Sequence, residues 1–370
     1  MAVLARCCPR LFGCGRGCGR VGFEDEAGRV RGGVRLNLMT LNMQYYSNYP
    51  ADKAAAREKL REVTGVGKDS AVDVIAVQEG LASVDVLDEI GYEKVACAGS
   101  RGIAQSVREM VYGDEAALKN CPPELHEQIL CNQVYVRRGS DWLVEGRGAE
   151  QVSSATSLHG GEGRCQGPLA VRSMVWVKLR KAGASGPAVY VMCTHITGGR
   201  FEDQYYLQQL AKERRDQPIR CATFFSHRRP NPKPDDIGVI VGDFNALPDY
   251  APDGPMHSYF KSSIESAKGI DLDAKQKGIT TAQELESLFE GYMTSPFTAL
   301  RELGWTLAYG PDIGPTSAFG HLIDHMALSR SVEVSSVEVR HLTNQRFSNG
   351  PPDTNLVLTD HNAVKAELRI

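Results

Sequence analysis

IGVIVGDFN, residues 237–245, is an apolar run that ends on an acid and an amide, Asp243 and Asn245. It reads as a strand, and if the strand persists to its last residue, both polar side chains leave from the same face. The same design recurs along the chain. AVDVIAVQ (71–78) runs into Glu79, PAVYVMCTHI (187–196) carries His195, LIDHMALS (322–329) holds Asp324, and LTDHNAVKAEL (358–368) opens with Asp360 and His361. Each acid or imidazole adjoins a short apolar run, so strand ends deliver these groups to one rim. Such a rim fits metal-assisted phosphoryl transfer.

Around these runs the pattern alternates between strands and helices. RLNLMTLN (35–42) is a strand ending in a polar loop with Gln44, Tyr45 and Tyr46. ADKAAAREKLREV (51–63) and LASVDVLDEI (81–90) read as helices, and AVDVIAVQ as a strand buried on both faces. From 92 to 180 strands dominate: YEKVACA, REMVYG, QILCNQVYVRR, DWLVEGRG and LAVRSMVWVKLR. The glycine-rich HGGEGRCQGP (159–168) is followed by a strand and by no Lys-Ser or Lys-Thr pair, which makes it a surface loop and not a phosphate cradle. FEDQYYLQQLAKERRDQ (201–217) is a helix of mixed polarity, RRPNPKPDD a Pro-rich link, and TTAQELESLFEGYM (280–293) a further helix. The loop-rich segment 249–312 reads as an insertion of the kind that walls a binding cleft. LIDHMALS, VEVSSVEVR and AVKAELRI supply three last strands. Adjacent strands in such number favour two packed sheets with helices outside, an α/β sandwich.

Composition sets limits on function. A chain of 370 residues with 42% hydrophobic content buries a large core. Residues 1–33 hold six arginines against Glu24, Asp25 and Glu26, leaving a balance of −6 on residues 34–370. That balance argues against tight non-specific DNA binding, which is mostly phosphate neutralisation. The ten cysteines show no zinc spacing and imply reduced thiols, with Cys97, Cys131 and Cys193 as small core residues. The leader, 1–33, lacks the apolar stretch of a secretory signal or a membrane span. Organelle targeting, acylation at Cys7 and Cys8, and a plain disordered tail all remain open for it. No later segment is long and apolar enough to span a bilayer, so residues 34–370 are expected to be a soluble, intracellular domain. Oligomeric state is not legible.

A phosphoester-cleaving site must offset phosphate charge, activate water and assist the leaving oxygen. Glu79 is the best ligand for a hard divalent ion, against the alternative of a solvated turn carboxylate. Asp243 can orient or deprotonate water, and Asn245 can hold that water or a phosphate oxygen; as a pair they also suit a turn. Asp324 lies within an apolar strand and needs a partner, and His361 is that partner, fixed in one tautomer. Asp360 is placed to bind a second ion or to shape the pocket, and His195 to donate to phosphate oxygens. His321 and His325 read as structural.

As an ordered set, TLNMQ at Asn42, VQEG at Glu79, THITGG at His195, GDFN at Asp243 and Asn245, LIDHMALS at Asp324 and TDHNAV at Asp360 and His361 resemble the endonuclease/exonuclease/phosphatase superfamily. The resemblance runs from about Val34 to the last residue. It implies a four-layer αββα sandwich of two mixed sheets, Mg²⁺ (Mn²⁺ as the alternative) held by Glu79 with Asn42 nearby, and in-line attack by water. It also implies a phosphate-directed arginine at Arg172, in LAVRSMVWV, for which a surface salt bridge is the competing explanation. Asp243 is assigned to water activation and His361, oriented by Asp324, to phosphate stabilisation. LIDHMALS lacks the Pro-x-Trp-Cys-Asp-Arg segment of inositol polyphosphate 5-phosphatases, and Gln44 stands where apurinic endonucleases usually carry Asp. The expected activity is phosphodiester hydrolysis, with nucleic acid slightly ahead of lipid. A sphingomyelinase-like or phosphomonoesterase activity is the alternative, for which Tyr250, Tyr259, Phe260 and Tyr292 would face lipid, against core packing as their default role. A non-catalytic scaffold is the third possibility.

Overall fold

The alternating and apolar runs become strands in the computed structural model. It describes residues 33–43, 53–80, 86–99, 131–153, 172–198, 204–250, 282–317, 320–330, 332–342 and 359–370. Outside these ranges fall the leader, the loop at Gln44, Tyr45 and Tyr46, REMVYG, HGGEGRCQGP, Phe201 and Asp203, and Tyr259 and Phe260 with most of the first half of 249–312.

Among the described residues, twelve strands form two sheets: β1 (Arg35–Asn42), β2 (Val74–Gly80), β3 (Tyr92–Ala98), β4 (Cys131–Arg137), β5 (Trp142–Gln151), β6 (Ser173–Lys181), β7 (Val189–His195), β8 (Ile237–Asp243), β9 (Thr306–Leu307), β10 (Asp324–Leu328), β11 (Glu333–Arg340) and β12 (Ala363–Arg369). The first sheet has the order β11-β12-β1-β2-β4-β3, the second β5-β6-β7-β8-β10-β9. Each has one parallel pair at its centre, β1 with β2 and β7 with β8, flanked by antiparallel neighbours. Alternation explains why the sheets stack. Leu36, Leu38, Val74 and Ala76 from one meet Val191, Cys193, Val239 and Val241 from the other in a single core.

The opposite faces are covered by helices. α1 (Lys53–Thr64) turns Ala56, Leu60 and Val63 inward at helical spacing, and with Val86 and Leu87 of α2 (Val86–Glu89) they pack on Met39, Leu41, Ile75 and Val77. On the second sheet, Cys221 and Ala222 of α3 (Gln204–Thr223) and Phe297 and Leu300 of α4 (Ala282–Glu302) pack on Tyr190, Met192, Ile240 and Ala327. Burying each large apolar side chain contributes about 1.5–3 kcal/mol over leaving it exposed. The architecture is the four-layer α/β/β/α sandwich. No described helix is long and apolar enough to cross a membrane.

Four local expectations change. α3 does not stop at Gln217 but continues through Pro218 to Thr223; a mid-helix proline costs about 3 kcal/mol, and burial of Cys221, Ala222 and Phe224 beyond it offsets that loss. β2 begins at Val74, not Ala71, because Asp73 is diverted to the backbone N–H of Asn37 (3.0 Å) and the guanidinium of Arg137 (2.8 Å). Cys97 is exposed on edge strand β3, although Cys131 and Cys193 are buried as expected. α4 continues past Met293 to Glu302 as an outer layer on α3 and the second sheet, and its Tyr292 is buried, the default core-packing role of these aromatics.

Candidate active site

Register places the central row of side chains. Parallel pairing sets His195 opposite Asp243, and antiparallel pairing sets Asp324 opposite Asp243. Three neighbouring strands thus present His195, Asp243 and Asp324 side by side. Close approach of β7 and β8 requires Gly242: its φ is +147°, and a Cβ there would lie 1.8 Å from the Thr194 carbonyl oxygen.

The strand does not persist to Asn245. It ends at Asp243, and the backbone N–H of Asn245 donates to Asp243 Oδ1 at 2.7 Å in a tight Asx turn. With φ at +48°, Asn245 swings back so that its amide Nδ2 donates to the Ile196 carbonyl at 3.1 Å and lies 3.0 Å from His195 Nε2. Glu79 also has a left-handed backbone, φ +53°, at an irregularity in the β2 to β4 register, and this turns its carboxylate toward His195. Such conformations are rare outside glycine and cluster at functional sites.

The first sheet closes the rim. Asn42 Nδ2 donates to Asp243 Oδ2 at 3.0 Å, and Thr359 Oγ1 donates to the Asn42 carbonyl at 2.7 Å while accepting from the backbone of His361 at 3.2 Å. His361 Nδ1 lies 2.9 Å from Asp324 Oδ2. Its other nitrogen stands 3.9 Å from Asp243 Oδ2 and 3.8 Å from Asp360 Oδ1. Thr316 Oγ1 accepts from the backbone of Ile323 and Asp324, fixing the start of β10.

The two imidazoles are driven to opposite states. Burial works against protonating His361, but Asp324, Asp360 and Asp243 outweigh it and hold the ring well above its usual range. Three carboxylates thus favour the protonated ring. His195 is pushed well below its usual range by burial, then by Arg172 and His361. Arg172 Nη1 lies 3.0 Å from His195 Nδ1, and because a guanidinium only donates, Nδ1 accepts and the single ring hydrogen sits on Nε2. That hydrogen faces Glu79 Oε1 at 3.6 Å and Asp243 Oδ2 at 3.5 Å, while the Asn245 amide nitrogen, itself a donor, gives a hydrogen to the Ile196 carbonyl. Arg172 is therefore not at the surface: it is 9% exposed and supports the ring from below.

Burial and then the charges of Asp360 and Asp243 raise Glu79 to about 8, and Asp243 is raised to about 6, chiefly by burial. Burial also raises Asp360. Among the described residues, Glu79 Oε2 is buried with no hydrogen-bond partner. A bare buried carboxylate oxygen among other acids is unfavourable by itself and fits a hard divalent cation, which takes carboxylate and amide oxygens. Among the described residues, two groups of donors each have their ligand atoms within 4.8 Å of one another: Glu79, His195 and Asp243, and Asp243, Asp324 and His361. In the second group His361 Nδ1 is engaged by Asp324, so that group is suited to proton handling. Glu79, with Asn42 and Asp360 near it, is the part suited to a metal.

The structure thus gathers Asn42, Glu79, Arg172, His195, Asp243, Asn245, Asp324, Asp360 and His361 at one rim. Thr359, Thr316, Arg214 and Gln217, which support them, are not legible as site residues because their partners are distant backbone carbonyls and N–H groups. His325 is structural as expected, with Nε2 donating toward the Ala246 and Leu322 carbonyls at 3.2 and 3.0 Å.

Residues 39–361 match the model of the Endonuclease/Exonuclease/phosphatase family, and the chain belongs to that family. In general terms it is a phosphoesterase-type hydrolase. No curated protein matches it in sequence. Among solved structures it is similar to an endonuclease/exonuclease/phosphatase from Bacteroides vulgatus (TM-score 0.50, 14% identity, covering 91% of this chain and 99% of that one). It is also similar to truncated Caenorhabditis elegans TDP2 (TM-score 0.46, 12% identity, 91% and 98%). The human Nocturnin catalytic domain with bound sulfate is a third (TM-score 0.48, 13% identity, 90% and 94%). Identities this low speak to fold alone.

Proposed function

We propose that the chain is a Mg²⁺-dependent phosphodiesterase, with Mn²⁺ as the alternative ion, acting on nucleic acid ahead of lipid. The observation that carries this reading is one acid, Asp243, shared between a metal-suited carboxylate, Glu79, and a hydrogen-bonded Asp324–His361 pair. A divalent ion held by Glu79, with Asn42 and Asp360 beside it, would supply charge neutralisation on the phosphate and polarise the phosphoryl oxygen. Asp243, raised to about 6, is ionised at neutral pH and basic enough to accept a proton from the attacking water. Asn42 and the Asn245 backbone N–H steer its two oxygens. His361 turns its Nε2–H to a phosphate oxygen, held there by Asp324. His195 offers a neutral Nε2–H to developing negative charge, with Arg172 behind it and the Asn245 amide beside it. In this scheme residues 34–370 are the catalytic domain, and 249–312 is a variable segment of it that includes the outer-layer helix α4.

The lipid reading is weakened by the burial of Tyr292. Purified protein should be assayed with and without Mg²⁺ on single-stranded DNA, RNA, sphingomyelin and a soluble phosphomonoester. Metal-dependent cleavage of a nucleic-acid diester is the expected result. Turnover confined to sphingomyelin or the monoester would move the assignment to the alternative activity, and no turnover of any substrate would reject it.

A further inference from the structure

Arg214 sits on α3 in a stretch of mixed polarity, yet its side chain is fully buried. Among the described residues no carboxylate forms an ion pair with it. Its hydrogens go instead to three carbonyls: Nε to Tyr292 at 2.9 Å, Nη1 to Thr197 at 2.5 Å and Nη2 to Asn245 at 2.6 Å. The guanidinium also lies over the Tyr292 ring, 3.9 Å from its centre. Burying a cation with no anion beside it is unfavourable, and an apolar side chain of similar volume would fill the space at lower cost. What the apolar side chain lacks is the planar fork that joins three chain segments at once.

Two of those segments leave the site directly. Thr197 follows His195 by two residues, and Asn245 follows Asp243 by two. The strands that carry them end in register at His195 and Asp243, and one more backbone bond, Ile196 N–H to the Asp243 carbonyl at 2.9 Å, continues the pairing. Beyond it the two loops are tied through α3. Gln217, one turn after Arg214, accepts from the Thr197 N–H at 2.9 Å and donates to Thr197 Oγ1 at 2.8 Å. Asn245 is gripped on both sides of its Cα, its N–H by Asp243 and its carbonyl by Arg214, and this sustains its φ of +48°. Gly198 lies flush against the Asn245 amide, where a Cβ would come within 2.4 Å of Asn245 Cγ. The amide therefore has one place to sit, beside His195.

We propose that Arg214 is a positioning residue of the active site: by clamping the carbonyls of Thr197 and Asn245 it sets the Asn245 amide against His195. This rests on the phosphodiesterase reading for its kinetic consequence but not for its geometric one.

The test combines Arg214→Lys with Asn245→Ala, alone and together, in the full-length protein. Lysine keeps the charge and loses the fork. With a phosphodiester substrate and Mg²⁺, Arg214→Lys should lower kcat about 10- to 100-fold with little change in KM. In the Asn245→Ala background it should lower kcat no further, whereas general destabilisation would add a second loss. Crystal structures of wild type and Arg214→Lys should show Asn245 leaving its left-handed backbone and its amide moving away from His195. Wild type inert on every substrate would reject the phosphodiesterase reading alone, and the crystal structures would still decide the geometry. An unmoved Asn245, or additive kinetic losses, would overturn the proposal. Arg214→Met carries the same test if the lysine variant does not fold; failure of both to fold would make Arg214 a support of the whole sandwich and reject the specific role.

Discussion

Asp324 Oδ2 and His361 Nδ1 are 2.9 Å apart, both buried, although the residues come from β10 and from the turn before β12 in different sheets. The bond fixes the ring so that its second N–H faces Asp243. Asp324→Asn should therefore lower kcat by about 10²-fold or more, as should His361→Ala. Because the two act as one unit, the double variant should be no slower than His361→Ala alone. Independent, multiplying losses in steady-state kinetics would show that the pair is not functionally coupled.

Glu79 gives a pH signature. Burial, then Asp360 and Asp243, raise it from 4.5 to about 8, so the folded state favours its protonated form. Its contribution to stability is fully present below about pH 4.5 and is lost as pH rises toward 8. Other buried groups titrate too, so the useful quantity is a difference. In metal-free buffer, Glu79→Gln should gain in Tm relative to wild type between pH 6 and pH 9. Added Mg²⁺ should raise the Tm of wild type more at pH 8 than at pH 6 and leave the Gln variant nearly unchanged. A pH-independent difference measured by calorimetry would contradict this placement of the proton.

How much of this was open to sequence reading depends on which forces place each residue. Glu79, Asp243, Asp324 and His361 are legible because each ends or begins an apolar run; strand register sets Asp243 and Asp324 beside His195, and the facing sheet brings Glu79 and His361 to the same rim. Asn245 is assigned to the right rim by the wrong route, since a side-chain turn bond and a left-handed backbone carry it there, and neither has a periodicity. Arg214 is hidden by its own helix: mixed polarity suggests solvent, and only carbonyls from Thr197, Asn245 and Tyr292 make its burial tolerable. Cys97 sits in an apolar-looking run, but edge strands leave one flank open.

At Gly242 the structure leaves no room for a side chain. Gly242→Ala sets a Cβ 1.8 Å from the Thr194 carbonyl oxygen at a φ of +147°, so β7 and β8 must part. Denaturant unfolding should show a loss of about 3 kcal/mol or more, and a loss below about 1 kcal/mol would mean the strands are not so close.

Native-state alkylation followed by peptide mapping checks the core. Cys97 should react readily, while Cys131, Cys193 and Cys221 stay protected until unfolding. Burial pushes the Cys193 and Cys221 thiols up to about 12, which suppresses the reactive thiolate further. Rapid labelling of Cys193 would mean the two sheets are not packed as described.

The central claim is that Glu79 and Asp243 serve one ion and one phosphate, and hydrolysis of a simple phosphodiester by wild type, Glu79→Gln and Asp243→Asn across a Mg²⁺ titration tests it most directly. Glu79→Gln should shift the titration to higher Mg²⁺ and recover part of its rate at saturation, whereas Asp243→Asn should stay at least about 10²-fold slow at every concentration. Wild-type turnover that is indifferent to Mg²⁺, or full activity in Asp243→Asn, would contradict the account.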